Sequence, residues 1–539
     1  MNSTSLLTFS LPITFTSTFS CDVIDEAKKR YANLINRQLE GGKPVDGIKR
    51  LGTVRLQIEN RTCQNSYPNI QSNEAYSIHI VEDESVIRSV TIWGMLRGLE
   101  TFSQLVYKRN KDAGNLINVT NIEDYPRYAH RGVMLDTARH FMPMKTITKI
   151  LDAMSYNKFN VFHWHVVDDQ SFPYTLRKFP EMAEKGAYHP KLVYTRDDIE
   201  RIKREARLRG IRVIPEFDTP GHTFSWGKSF PELLTPCWGQ GRPDTPNYPH
   251  HGPREIINPT LESTFDFMRD LYMEIRDDFP DEYVHLGMDE AYYACWQSSP
   301  NVSDWMSKRN MSTYNQIEQY YSERLIKIVD KIGLKSIVWQ DPLENNVTFN
   351  KETIIQVWKD KKNDVNNPSV KNWEEYAQEV AKLGYNFILS SPWYLNMISY
   401  GQDWRNYYEI EPTDFTSNEN EKKLVKGGEA CMWAEYVDGT NIHSRIWPRA
   451  SAIAERLWSA KNADNIEDAK FRLDEHRCRM IRRGIPAQPI LNGHCNGEEW
   501  EYESKEQPPQ QSVAISNYYN AILITLIITN FFSSFILSR

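Results

Sequence analysis

The chain has 539 residues, too many for one ordinary core, so at least two domains are expected. Hydrophobic residues make up 40% and charged residues 25%, the balance of a globular protein rather than a disordered one. A net charge of -7, with no basic run of useful length, excludes a dedicated nucleic-acid binder.

Residues 1–20 come first. Their apolar, Thr/Ser-rich stretch from residue 5 has no basic segment before it, and it supports a signal-like leader and a first strand equally. Residues 21–125 alternate helical and strand patterns. DVIDEAKKRYANLINRQL and IWGMLRGLETFSQLVY read as helices, TVRLQIEN and AYSIHIVED as strands. A small α+β domain is expected here, ending near the turn signal EDYPRY.

From residue 126 to residue 500 the rhythm changes. The short apolar runs RGVMLDTAR, FNVFHWHVVDD, IRVIPEFDT, YVHLGMDE, KSIVWQD, TIIQVW, FILSSPWYL and GGEACMWAE follow in turn. Most are separated by amphipathic helical patterns such as DDIERIKREARLR and IEQYYSERLIKIVDKI. Eight strand-like runs with intervening helices predict a closed (β/α)8 barrel of the TIM type. An open doubly wound sheet is the alternative, but no Gly-rich phosphate turn follows the first strand. Residues 501–539 form a polar linker and a hydrophobic tail. The apolar stretch 520–537 is near the lower limit of the ~17–25 residues of a membrane helix. Membrane attachment is therefore expected, by a spanning helix or through a cleaved lipid-anchor signal.

Seven cysteines are scattered without a C-x-x-C pair, which argues against zinc and thioredoxin-type sites. Five Asn-x-Ser/Thr sequons in the body of the chain, at Asn60, Asn118, Asn301, Asn310 and Asn346, stand beside them. Together they predict glycosylation, disulfides and the secretory route, with a lysosomal, cell-surface or extracellular destination.

The predicted strands begin apolar and end in a polar or aromatic group. These ends carry Arg139, Asp168, Asp169, Asp218, Asp289, Glu290, Trp339, Trp358, Tyr394, Trp433 and Glu435. In such barrels the C-terminal strand ends form the active-site face. Glycosidic cleavage needs a proton donor and a group that stabilises the anomeric cation. Asp289 and Glu290 end the fourth predicted strand together, where adjacent side chains point oppositely and two roles are natural. His163, His165, Asp168 and Asp169 admit a metal reading as well as a core or pocket-lining one.

The runs LDTARHFMP, FNVFHWHVVDDQSFPY, RVIPEFDTPGHTFSW, HLGMDEA, SPWYLN and GGEACMWAEYVD resemble, in order, motifs of the eukaryotic lysosomal-type β-hexosaminidases of glycoside hydrolase family 20. The resemblance implies an exo-acting β-N-acetylhexosaminidase that needs no metal or organic cofactor and acts on terminal N-acetylhexosamine glycans. It implies a retaining mechanism in which the substrate's own 2-acetamido oxygen is the nucleophile, the known exception to the two-carboxylate scheme. Glu290 would be acid and base, and Asp289 would hold the acetamido nitrogen. Tyr394 would bind the acetamido oxygen, and Trp339, Trp358 and Trp433 would wall the pocket. Arg139 and Glu435 would bind ring hydroxyls, with Asp168 and His222 supporting the pair. The resemblance also implies disulfides Cys21–Cys63, Cys237–Cys295 and Cys478–Cys495, a free Cys431, and a homodimer.

Three departures stand out. Met288 replaces the second of two glycines that commonly precede Asp-Glu, where a side chain is expected to shift Asp289. The usual Trp-Gln-Glu is Trp339-Gln340-Asp341. Asn396-Met397 follows Tyr394-Leu395 and supplies no guanidinium for an acidic sugar, so neutral substrates are expected. A sugar-binding surface protein with weakened catalysis is the rival reading, favoured by Met288 and the tail.

Overall fold

The computed structural model describes residues 5–495, apart from residues 65, 109–113, 248–251 and 365. Eight parallel strands close into a barrel. In chain order they are β1 (His130–Asp136), β2 (Val161–Val167), β3 (Arg212–Thr219), β4 (Tyr283–Gly287), β5 (Lys335–Trp339), β6 (Ile354–Val357), β7 (Asn386–Leu389) and β8 (Val425–Met432). β8 pairs with β1 over six residues, from Gly427 beside His130 to Met432 beside Leu135, and this closes the ring.

The helical patterns fall between the strands as the periodicity predicts. They include Met144–Tyr156, Arg196–Arg207, Glu262–Asp278, Tyr314–Ile332 and Trp373–Lys382. Each buries one apolar stripe; on Arg196–Arg207, for example, Ile199, Ile202 and Ala206 face inward. Thr195 starts that helix with a reciprocal capping box to Asp198.

The barrel interior is layered, because side chains two apart on a strand point the same way. Val161, Ile214, Ile337, Ile354 and Ile388 form an apolar plug. Two residues further along their strands come His163, Glu216 and Gln356, and His285 and Glu429 of β4 and β8 join them; all five are buried. Above them lies an aromatic cluster of Trp339, Tyr394 and Trp433, with Met134 and Cys431 behind it.

The N-terminal domain is α+β, as expected. A five-stranded sheet has the order Phe15–Ser17, Thr53–Ile58, Glu84–Ser89, Tyr76–Ile80, Thr120–Asp124. Helices Asp22–Gln38 and Ile92–Leu105 supply apolar residues to its core. Leu6–Thr8 pairs antiparallel with Asn115–Asn118. Glu74 joins this domain to the barrel. It accepts from Arg97 at 2.7 Å, from Arg131 of β1 at 2.8 Å and from Asn160 at 3.0 Å.

Disulfides link Cys21 to Cys63 and Cys237 to Cys295. Cys478 and Cys495 are each disulfide-bonded, and Cys431 is free and buried. Asn60, Asn301, Asn310 and Asn346 are exposed; Asn118 is half-buried and accepts a hydrogen bond from Tyr107. Among the described residues no helix is long and apolar enough to cross a membrane. The stretch 520–537, expected to attach the chain, lies outside the described residues.

Candidate active site

β4 ends at Gly287, so Asp289 and Glu290 sit on the turn beyond it rather than on the strand. The turn is left-handed at Gly287 (φ 69°), Met288 (φ 74°) and Glu290 (φ 48°). Their separation therefore comes from this turn and not from strand alternation. A Cβ at position 287 would lie 1.7 Å from Asp218 Oδ1, so only glycine fits there. Met288 differs. Its side chain is fully buried in the main core and its N–H donates to Asp218 Oδ1 at 3.0 Å. Burial of a methionine side chain contributes about 1.5–3 kcal/mol, which offsets the about 1–2 kcal/mol cost of left-handed backbone at a residue with a Cβ. The expected displacement of Asp289 by Met288 is thus met by a socket in the core and a backbone hydrogen bond.

The two carboxylates have unequal surroundings. Asp289 is buried, while the Glu290 side chain is 59% exposed. His222, itself at φ 56°, faces both, with Nε2 3.7 Å from Asp289 Oδ2 and 3.5 Å from Glu290 Oε2. Its Nδ1 lies 3.3 Å from Asp168 Oδ1. Burial pushes the Asp289 carboxyl up to about 6 against the pull of His222, and the charges of Asp341 and Glu216 add to the rise. The Glu290 carboxyl is lowered, chiefly by its hydrogen bond with His222. Burial opposes a charge on His222, but Asp168, Asp218 and Asp289 outweigh it and hold the imidazolium form. Asp218 was read from sequence only as a strand end. It is a buried acid hydrogen-bonded to Asp289, raised by burial and by that neighbour's charge.

Four aromatic rings stand beside the pair. Trp358 stacks near Tyr394, with centroids 6.2 Å apart and planes at 21°. Trp339 lies 6.5 Å from Trp358 and 5.9 Å from Trp433. Trp339 donates its indole N–H to Glu216 at 2.7 Å, and Trp358 donates to Asp341 at 2.6 Å. Arg139 packs over Trp433, 4.9 Å from the ring centre, and pairs with Asp168 at 2.8 Å and Asp136 at 3.2 Å. Glu435 reaches within 3.9 Å of Arg139 from the solvent side. Asn396 is half-buried, with its Oδ1 left without a partner among the described residues, and Met397 beside it is 47% exposed. The residues expected at the site therefore converge on one end of the barrel.

The histidines that admitted a metal reading belong to a buried ion-pair network. His163 lies 2.9 Å from Glu216 and 2.8 Å from Glu429. His165 lies 2.6 Å from Glu216 and 2.8 Å from Asp168. Burial disfavours charge on both rings, yet Glu429 and Glu216 push His163 up to about 9, and Glu216 and Asp168 push His165 up to about 10. Glu216, Glu429 and His130, which complete the network, were not singled out from the sequence. Their signal was a charged or imidazole group inside an otherwise apolar strand.

A closed (β/α)8 barrel carrying paired carboxylates and a cluster of aromatic rings beyond its strand ends is an arrangement suited to a glycoside hydrolase. A model of the glycosyl hydrolase family 20 catalytic domain matches residues 128–461, and a second, described as beta-acetyl hexosaminidase like, matches residues 8–105. The chain belongs to glycosyl hydrolase family 20. It is 45% identical over 488 residues to the human beta-hexosaminidase subunit beta, covering 89% of this chain and 84% of the relative. It is 46% identical over 483 residues to the mouse beta-hexosaminidase subunit alpha, covering 89% and 88%. Among solved structures, a chitobiase of Flavobacterium johnsoniae superposes with a TM-score of 0.76 at 26% identity, covering 89% of this chain and 71% of that one.

The turn geometry carries a prediction. Gly287→Ala forces the new methyl against Asp218 and displaces the Asp289 turn. Turnover should fall by about 100-fold, the usual effect of a misplacement near 1 Å. Steady-state kinetics on the purified variant checks this, and wild-type turnover would contradict the steric argument.

Proposed function

We propose a substrate-assisted, retaining route for this chain, which is an exo-acting β-N-acetylhexosaminidase. The observation that carries the reading is the inequality of the carboxylates: Asp289 is buried beside the aromatic walls and Glu290 is open at the mouth. A terminal sugar entering the pocket sets its 2-acetamido group between Trp339, Trp358 and Trp433, against Tyr394. The acetamido oxygen attacks the anomeric carbon as the glycosidic C–O bond breaks. Glu290 gives its proton to the departing oxygen. Asp289, ionised, stabilises the positive charge that develops on the acetamido nitrogen. Water then adds to the anomeric carbon, Glu290 takes its proton, and the oxazolinium ring opens to restore the acetamide. Both displacements invert, so the configuration is retained.

In the free protein Glu290 is a carboxylate, held so chiefly by His222. A sugar at the mouth excludes water, which favours the neutral acid needed for the first step. Arg139 and Glu435 bind the outer hydroxyls, and Asn396 orients the group beside Tyr394. Asp168 and His222 hold the pair.

Glu290→Gln removes the transferable proton but keeps shape. Turnover should fall by about 10²–10⁴-fold, while binding of N-acetylglucosamine, read by calorimetry, stays near wild type. Near-wild-type turnover would reject the acid–base role. Substrates are expected to be neutral, because Asn396-Met397 offers no cation to a sulfate or carboxylate. A plain aryl N-acetylglucosaminide should therefore be cleaved with higher kcat/KM than its 6-sulfated form; equal values would remove the preference.

Two parts of the reading rest on sequence and on relatives named as subunits. We infer a homodimer. We also infer a secretory route ending in the lysosome or at the cell surface, with attachment through residues 520–537. A full-length chain that sediments as a monomer and leaves membranes without detergent or phospholipase would contradict both the dimer and the attachment.

A further inference from the structure

Asp341 follows Trp339 on the loop after β5, where a short helix, Asp341–Glu344, begins. Its carboxylate is buried and holds three neighbours. Oδ2 accepts the indole N–H of Trp358 at 2.6 Å. Oδ1 pairs with Lys359 Nζ at 2.9 Å and accepts the backbone N–H of Glu290 at 3.4 Å. Gln340 reinforces the same junction, accepting the backbone N–H of Trp358 at 2.8 Å and of Lys359 at 3.1 Å. Lys359 also reaches Glu344 at 2.9 Å.

We propose that Asp341 is a positioning residue: it fixes the ring of Trp358 as a wall of the acetamido pocket and ties that wall to the turn carrying Glu290. The proposal rests on the substrate-assisted reading, because only an internal nucleophile needs a wall that compresses the acetamide. Trp358 is the half-buried member of the aromatic cluster, so packing restrains it less than Trp339 or Trp433. A directed, charge-assisted hydrogen bond fixes the plane and face that packing leaves loose. The Glu290 N–H is held on the same carboxylate at a left-handed residue, so wall and acid share one anchor.

The anchor also acts by its charge. Asp289 is faced by His222 and Asp218, with Glu216 beneath and Asp341 across the pocket. Asp341 itself is faced by Lys359, with Glu318 and Tyr293 within reach of its field. Its negative charge raises the Asp289 carboxyl, so removing it lets Asp289 ionise at lower pH.

The experiment is a double-mutant cycle on the full chain with an aryl N-acetylglucosaminide. Asp341→Asn should lower kcat by about tenfold to 100-fold, with KM much less affected. It should also move the acidic limb of the kcat/KM profile to lower pH. Trp358→Phe, which removes the indole donor together with part of the wall, should give a comparable or larger kcat loss. The double variant should lose little more than the more impaired single one. Asp341→Glu keeps charge and acceptor, and should retain most activity with an unmoved limb. It also serves as the test if the Asn variant does not fold. Wild-type kcat in Asp341→Asn, fully additive losses in the double variant, or a collapse of activity in a folded Asp341→Glu would overturn the proposal. A wild-type chain with no hydrolysis at all would instead overturn the functional reading beneath it.

Discussion

A carboxylate sealed away from water must find its counter-charges inside the fold, and Glu216 does so in the middle of the barrel. Its two oxygens meet His163 at 2.9 Å, His165 at 2.6 Å, His285 at 3.1 Å and the Trp339 indole at 2.7 Å. Glu429 repeats the arrangement with His163, His130 and Gln356. Removing one member of such a set leaves an uncompensated buried charge, at a cost of about 3–5 kcal/mol. The rings and acids are therefore locked to one another. The pocket floor inherits that rigidity through Trp339, and the Asp289 turn inherits it through Asp168 and His222. Even Gly132 follows from it, since a Cβ there would sit 2.5 Å from the Glu429 side chain.

The same logic separates two neighbouring carboxylates. Asp289 and Glu290 are adjacent in sequence and share His222. Yet burial and the acids around it raise Asp289, while Glu290 at the mouth is lowered by that shared imidazole. Identical groups thus acquire different proton affinities from their depth and their neighbours. The left-handed turn after β4 makes the difference in depth available, and Gly287 and the socketed Met288 make the turn.

Much of this was legible in the sequence, for identifiable reasons. Period-two apolar runs broken by amphipathic helices set the barrel, and polar strand ends set its working face. Asp289, Glu290 and the Trp set stood out because such groups rarely end apolar runs. The interior network was less legible. Glu216 and Glu429 sit within apolar runs, and their partners arrive from strands far away in the chain. His163 and His165 showed their common face but not which carboxylates would occupy it. The consequence of Met288 was hidden for a different reason. Whether a side chain fits at a left-handed residue depends on a core assembled from other strands.

One covalent feature bears on how this face behaves as a whole. The Cys237–Cys295 bond spans 58 residues and joins the excursion after β3 to the segment just beyond Glu290. His222 lies on the first arm and Glu290 on the second. The barrel floor is cemented by charge, but its rim is hooped by a bond that forms only in an oxidising compartment. The oxidation history of the chain is thereby written into the geometry of its mouth. A molecule folded without that hoop would keep its floor and lose the covalent tie between the arm carrying His222 and the arm carrying Glu290.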